Sequence, residues 1–273
     1  MTSSAKTTTK GAARDVSDNK AFKALARSGY AVNGLIHILI GGIAIGVAAA
    51  GGSGGEADQS GALRGISDSP GGLFVLWLAV VGLFALGLWQ VISAFLISDP
   101  DPKKKWGKRL SEVAKGVIYF AIGGTALVFA LGGSSNSSDS SQTLSARLLE
   151  TPGGVFLLVA IGLGIAGGGV GFAVIGIRRT FRKKIRVPAG TAGKAVVTLG
   201  VVGYVAKGIA LFAVGVLFVV AAFTFDPEKA SGLDGALKSL ADLPFGIVIL
   251  VAVGIGLIAY GLFLVARSRL ARL

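Results

Sequence analysis

The sequence predicts an all-α polytopic membrane protein: six transmembrane helices, built as three parallel two-helix repeats. Three observations carry that prediction. First, 52% of the 273 residues are hydrophobic and only 15% are charged, with a mean hydropathy of +0.73. A soluble domain has about 25% charged residues, and it needs them to clothe its core. Second, the apolar residues form six blocks, at 30–50, 71–97, 113–131, 153–177, 195–225 and 245–266. Each is near or above the roughly 20 residues that carry a helix across a bilayer. The blocks are too long for barrel strands and lack polar alternation, which argues against a membrane β-barrel. Third, the chain repeats itself. Displaced by 82 residues and then by 92, Asn33-Gly34 meets Lys115-Gly116 and Lys207-Gly208. The distance to the next aligned proline (Pro70, Pro152, Pro244) is 37 residues each time.

In chain order, residues 1–20 are rich in Ser, Thr, Lys and Ala and read as a disordered cytoplasmic tail. They hold no signal-peptide core, so the first helix serves as the insertion signal. Repeat 1 spans 21–97, with helices at 30–50 and 71–97. A basic loop follows at 98–112. Repeat 2 spans 113–177, with helices at 113–131 and 153–177. A second basic loop occupies 178–194. Repeat 3 spans 195–266, with helices at 197–225 and 245–266. A basic tail, 267–273, closes the chain. The segments 51–61 and 132–141 read as Gly/Ser-rich linkers.

Charge sets the expected orientation. The tails, the two basic loops, Lys23, Arg27, Lys115 and Lys207 hold 23 of the 27 basic residues and 5 of the 14 acids. The opposite side holds four basic residues (Arg64, Arg147, Lys229, Lys238) against nine acids. This positive-inside pattern places both termini in the cytoplasm of a plasma-membrane protein. The net charge of +13 then reflects topology and attraction to anionic headgroups, with no nucleic-acid motif to suggest another partner. A membrane-protein partner or a second copy of the chain stays open.

Within the repeats, Gly34, Gly41 and Ala48 recur as Gly116, Gly123, Ala130 and as Gly208, Gly215, Ala222. Each trio is spaced by seven residues, nearly two helical turns, and makes a stripe of small side chains for close helix packing. Before each proline stands a carboxylate: Asp68, Glu150 or Asp242. Arg64, Arg147 and Lys238 lie three or four residues upstream, the spacing of ion pairs on a short interfacial helix. Ser69 and Thr151 are placed to cap the helix that follows.

Asn33, Lys115 and Lys207 share one repeat position and form a candidate intramembrane polar ring, with His37 and its counterpart Tyr119 one turn further on. Lys115 and Lys207 either snorkel to the headgroups or line a cavity. A lone histidine without cysteine or clustered acids argues against a metal site. The chain has no cysteine and no catalytic constellation.

The threefold hairpin, the Gly29-Tyr30 and Gly203-Tyr204 lead-ins, and the acid-x-Pro-x-Gly return resemble a bacterial, largely actinobacterial, six-helix membrane family called domain of unknown function twelve-oh-six. The resemblance spans about residues 26–264. It implies the fold and no activity. The expectation for function is therefore a non-enzymatic structural or accessory membrane component without cofactor or metal. The alternative is a small-solute or anion transporter with its path along the pseudo-threefold axis.

Overall fold

The computed structural model describes residues 19–52 and 54–271. Most of the expected 1–20 tail therefore lies outside the described residues. Among those described there are nine α-helices: α1 (Lys20–Ala49), α2 (Gln59–Ser67), α3 (Gly72–Leu96), α4 (Pro102–Ala130), α5 (Ser137–Leu149), α6 (Gly154–Ile177), α7 (Gly190–Thr224), α8 (Gly232–Ala241) and α9 (Gly246–Leu270). Six of them, α1, α3, α4, α6, α7 and α9, are long and apolar enough to cross a membrane. The chain is a multi-pass membrane protein of three helical hairpins: α1/α3, α4/α6 and α7/α9.

The first helix of each hairpin starts well before its apolar block. α1 begins ten residues ahead of Tyr30, and most of the expected 98–112 loop is the polar start of α4. The reason is local. Asn19 caps α1 by accepting from the Ala21 and Phe22 amides, and Asp101 caps α4 at the Lys103 and Lys104 amides, with Pro102 in the first turn. Hydropathy locates a membrane span; caps locate a helix. The linker reading of 51–61 and 132–141 is corrected in the same way. Asp58 caps α2, and Asn136 caps α5 through the Ser138 and Asp139 amides.

The proline motif turns the chain at this end of the molecule. Gly71 and Gly153 adopt left-handed φ (77° and 81°), and Phe245 takes the same region at 60°. At the following glycine, a Cβ would strike the Ile66, Leu148 or Ala241 carbonyl. Ser69 and Thr151 do not cap the helices that follow, which have no side-chain cap. Their hydroxyls turn back and donate to the Ile66 and Arg147 carbonyls.

The three stripes of small residues lie between hairpins. Gly34 and Gly41 of α1 face Gly261 and Gly254 of α9; a Cβ on Gly34 would come within 2.6 Å of the Gly261 carbonyl oxygen. Gly208 and Gly215 of α7 meet Gly169 and Gly162 of α6 in the same way. Gly116 and Gly123 of α4 face Gly87 and Phe84 of α3. The second helix of each hairpin thus packs on the first helix of the next, three times over, which is the pseudo-threefold plan. The short helices α2, α5 and α8 cap one end of the axis. There Ser60 and Ser137 share a hydrogen bond, Ser138 donates to the Ser231 carbonyl, and Asp234 accepts from the Ala57 amide.

Packing within the hairpins is unequal. α1 packs on α3 and α7 on α9, whereas α4 and α6 are not packed on one another. In the first hairpin Gly29 is pressed against Gly82 and Leu86; in the third, Gly203 is pressed against Tyr260. The aligned residue of α4 is Ser111, which is exposed. Its expected neighbours on α6, Gly164 and Gly168, have open space where a Cβ would be. The ring of six helices has one lateral gap.

Candidate functional site

The axis-facing positions repeat every three or four residues along the first helices. In α1 they are Asn33, His37, Ile40, Ala44 and Val47, all buried. The aligned set in α7 starts with Lys207 and Leu211 and continues with buried Val214, Phe218 and Ala221. In α4 it is Lys115, Tyr119, Ile122, Ala126 and Phe129. Toward the cap the axis is filled by apolar side chains, among them Ile40, Leu83, Phe129 and Leu257. Toward the basic side it becomes polar and aromatic. There Asn33, Lys115 and Lys207 lie at least 13 residues, or roughly 20 Å, inside their helices.

The structure brings part of the expected ring together. The Lys207 ammonium lies 3.0 Å from His37 Nε2. His37 Nδ1 lies 2.8 Å from the Asn33 carbonyl oxygen. That carbonyl can only accept, so Nδ1 carries the proton and Nε2 offers its lone pair to Lys207. Lys207 also sits over the Tyr260 ring at 4.6 Å and the Phe172 ring at 5.3 Å. It does not snorkel: α7 runs unbroken from Gly190, so its stem has no short route to the helix end. Lys115 is drawn aside. It pairs with Glu112 at 2.6 Å, and Glu112 also binds Lys184 at 3.2 Å from the segment after α6. Tyr119 lies between the apolar core and the aromatic group.

Arg267 was expected in a polar tail and instead belongs to the last turn of α9, at the centre of the basic end. It donates to the Tyr204 hydroxyl at 3.4 Å and the Tyr30 hydroxyl at 3.2 Å, and lies 4.4 Å over the Tyr30 ring. Phe181 stacks on Tyr204 with ring centroids 5.3 Å apart. Tyr30 and Tyr204 occupy one repeat position, whose third member is Glu112. The Gly-Tyr lead-in therefore does two jobs: its glycine closes a hairpin and its tyrosine holds Arg267.

Among the described residues neither Lys207 nor Arg267 has a carboxylate partner; every group holding them is neutral. Asn33 Oδ1 and Arg267 Nε are buried with no hydrogen-bond partner at all. This end of the axis is cationic and incompletely satisfied, and such groups are costly in a low-dielectric interior.

The cap-side carboxylates behave differently from expectation. Asp68, Glu150 and Asp242 are exposed and end α2, α5 and α8. None pairs with its upstream base. Arg64 reaches Glu56 at 3.8 Å, and Lys238 reaches Asp234 at 2.8 Å. Each acid ends its helix, whereas Glu56 and Asp234 are held where the three short helices meet, by the Asn136 amide and the Ala57 amide. Beneath that cap Asp58 is fully buried. Burial, reinforced by Asp234 and Glu56, pushes its carboxyl up to about 6.

The profile described as Domain of Unknown Function (DUF1206) matches the chain three times, over residues 28–96, 111–179 and 202–271. The chain belongs to the DUF1206 family. Each match begins within one residue of the Gly-Tyr position or of its Ser111-Glu112 counterpart, so the family unit is the hairpin described above. The uncharacterized protein YxxB of Bacillus subtilis (strain 168) is 32% identical over 227 residues, covering 80% of each chain. No solved structure matches this DUF1206 chain.

Proposed function

We propose that this DUF1206 protein is a non-enzymatic protein of the plasma membrane, basic side in the cytoplasm, that holds an anion between Lys207 and Arg267. The observation that carries this reading is two inward-facing cations whose partners are all neutral. Taking a cation out of water costs several kcal/mol even after relaxation, and an anion close by offsets much of that cost. A groove on the same side, lined by Arg179, Arg182 and Lys194, adds positive potential near the lipid headgroups.

The test is thermal unfolding of the full chain in detergent with chloride, acetate, sulfate and phosphate. At least one anion is expected to raise the melting temperature, and Lys207→Gln and Arg267→Gln to abolish the rise. Equal melting in every salt overturns the reading. Orientation is checked separately by single cysteines labelled with an impermeant reagent: Asp139→Cys should react from outside, Lys104→Cys and Lys183→Cys should not.

Passage of the anion along the axis is a second reading of the same site. Lys207 favours it by turning to His37 on the axis rather than to the headgroups. The apolar filling from Ile40 to Leu257 has to part for that to happen. Anion flux into vesicles that is lost in Lys207→Gln would support transport; binding without flux would leave a receptor or accessory role.

A further inference from the structure

We infer that the anion is the headgroup of an anionic phospholipid, admitted sideways from the bilayer through the gap between α4 and α6. This rests on the anion reading above and names its ligand.

The gap is the one place where the pseudo-symmetry fails. Hairpins one and three are closed by Gly29 on Gly82 and by Gly203 on Tyr260. In hairpin two, Ser111 replaces that glycine, and Gly164 and Gly168 of α6 face empty space. The polar axis positions are unequally covered. Asn33 and His37 on α1 are buried, whereas Lys115, Tyr119 and Lys207 are only partly so.

Both ends of the gap are tied. At the cap, α5 connects α4 to α6 and is itself held to repeat 1 by Asn136 on Glu56 and Ser137 on Ser60. At the basic end, Lys184 reaches across to Glu112. What remains is a way in from the hydrocarbon beside Ile118, which is exposed where its counterparts Ile36 and Ala210 are buried. A small hydrated anion has no favourable path there, but an acyl chain does.

The chemistry inside fits a lipid headgroup. Lys207 and Arg267 supply the charge for a phosphate. The unpartnered Arg267 Nε is a donor for a phosphate oxygen, and the unpartnered Asn33 Oδ1 is an acceptor for a headgroup hydroxyl. Phosphatidylglycerol carries both groups; phosphatidylcholine carries neither a net charge nor a headgroup hydroxyl.

The experiment is native mass spectrometry of the full chain, released from detergent containing either phosphatidylglycerol or phosphatidylcholine. It is run beside melting curves in inorganic phosphate. Wild type is expected to retain phosphatidylglycerol in preference to phosphatidylcholine. Filling the gap with Gly168→Trp, or with Gly164→Leu as an independent variant, should lower retention about tenfold while the phosphate response persists, and Lys207→Gln should lose both. Retention of phosphatidylglycerol by both gap variants overturns lateral entry, as does equal retention of the two lipids. A dimer that the gap variants dissolve would make a second copy the occupant and equally overturn the inference. A phosphate response with no lipid retained leaves the anion reading standing and removes the lipid. If wild type responds to neither, the anion reading itself falls.

Discussion

Hairpins one and three each spend a glycine on closing themselves; hairpin two does not. Gly29 and Gly203 bring two backbones together, and Tyr30 and Tyr204, one residue on, hold Arg267 from two directions. At the same position hairpin two has Ser111 and Glu112. The serine does not seat against α6, and the glutamate turns to Lys115 and Lys184. Small-residue packing in lipid depends on backbone approach, so one Cβ at the crossing is enough to keep two helices apart. An apparently conservative departure in one copy of a repeat thus sets where the ring is open.

The sharpest break of this comparison is Gly203→Leu. Its side chain has to occupy the space of the Tyr260 backbone, and a loss of about 3 kcal/mol or more is expected. Ser111→Leu, at the aligned but exposed position, should change stability by less than about 0.5 kcal/mol. Chemical unfolding in mixed micelles measures both, and equal losses would show that hairpin two is closed after all.

Asp58 provides the next effect, at the cap. Its folded carboxyl titrates near 6, against 3.8 for the free group. Between those values the folded chain keeps a proton the unfolded chain has lost, so stability falls as pH rises from about 4 to 6 and stays lower above it. Asp58→Asn keeps an N-cap oxygen for the Gly61 amide, and it should flatten that window and stabilise by about 1–3 kcal/mol at pH 7.5. A wild-type pH profile that is already flat counts against it.

Restoring the motif gives a geometric effect. Ser111→Gly with Glu112→Tyr should draw α4 toward α6, shortening the distance between spin labels at Ile118 and Leu163; an unchanged distance would place the cause of the gap in α6. A small effect is expected from Glu112→Gln alone. It removes ion pairs to Lys115 and Lys184, whose side chains are 31% and 56% exposed, and should cost under about 1 kcal/mol.

Much of this molecule was legible in its residues. Six apolar blocks, three prolines at constant distance and the Gly34-Gly41-Ala48 spacing are local or periodic features, and lipid as solvent leaves such a chain little choice but helices. The site was legible only in part. Asn33, His37, Tyr119 and Lys207 were marked by being polar inside apolar runs. Arg267 was missed because it follows the last apolar block and so read as tail. The aromatic rings were missed because an aromatic residue in a membrane span carries no signal of its own. Yet Tyr30 and Tyr204 did share a repeat position, and Glu112 broke it; that departure was the available clue to both Arg267 and the gap.

The sequence by itself determined the membrane class, the hairpin count and the small-residue stripes, because helix periodicity and transfer from water act residue by residue. Only the tertiary structure decided which helices those stripes join, that Lys207 turns to His37 rather than to the headgroups, that Arg267 sits on the axis, and that one hairpin stays open. Each of these is a choice between partners far apart in the chain, settled by whether two backbones can approach and whether a buried charge finds a neighbour.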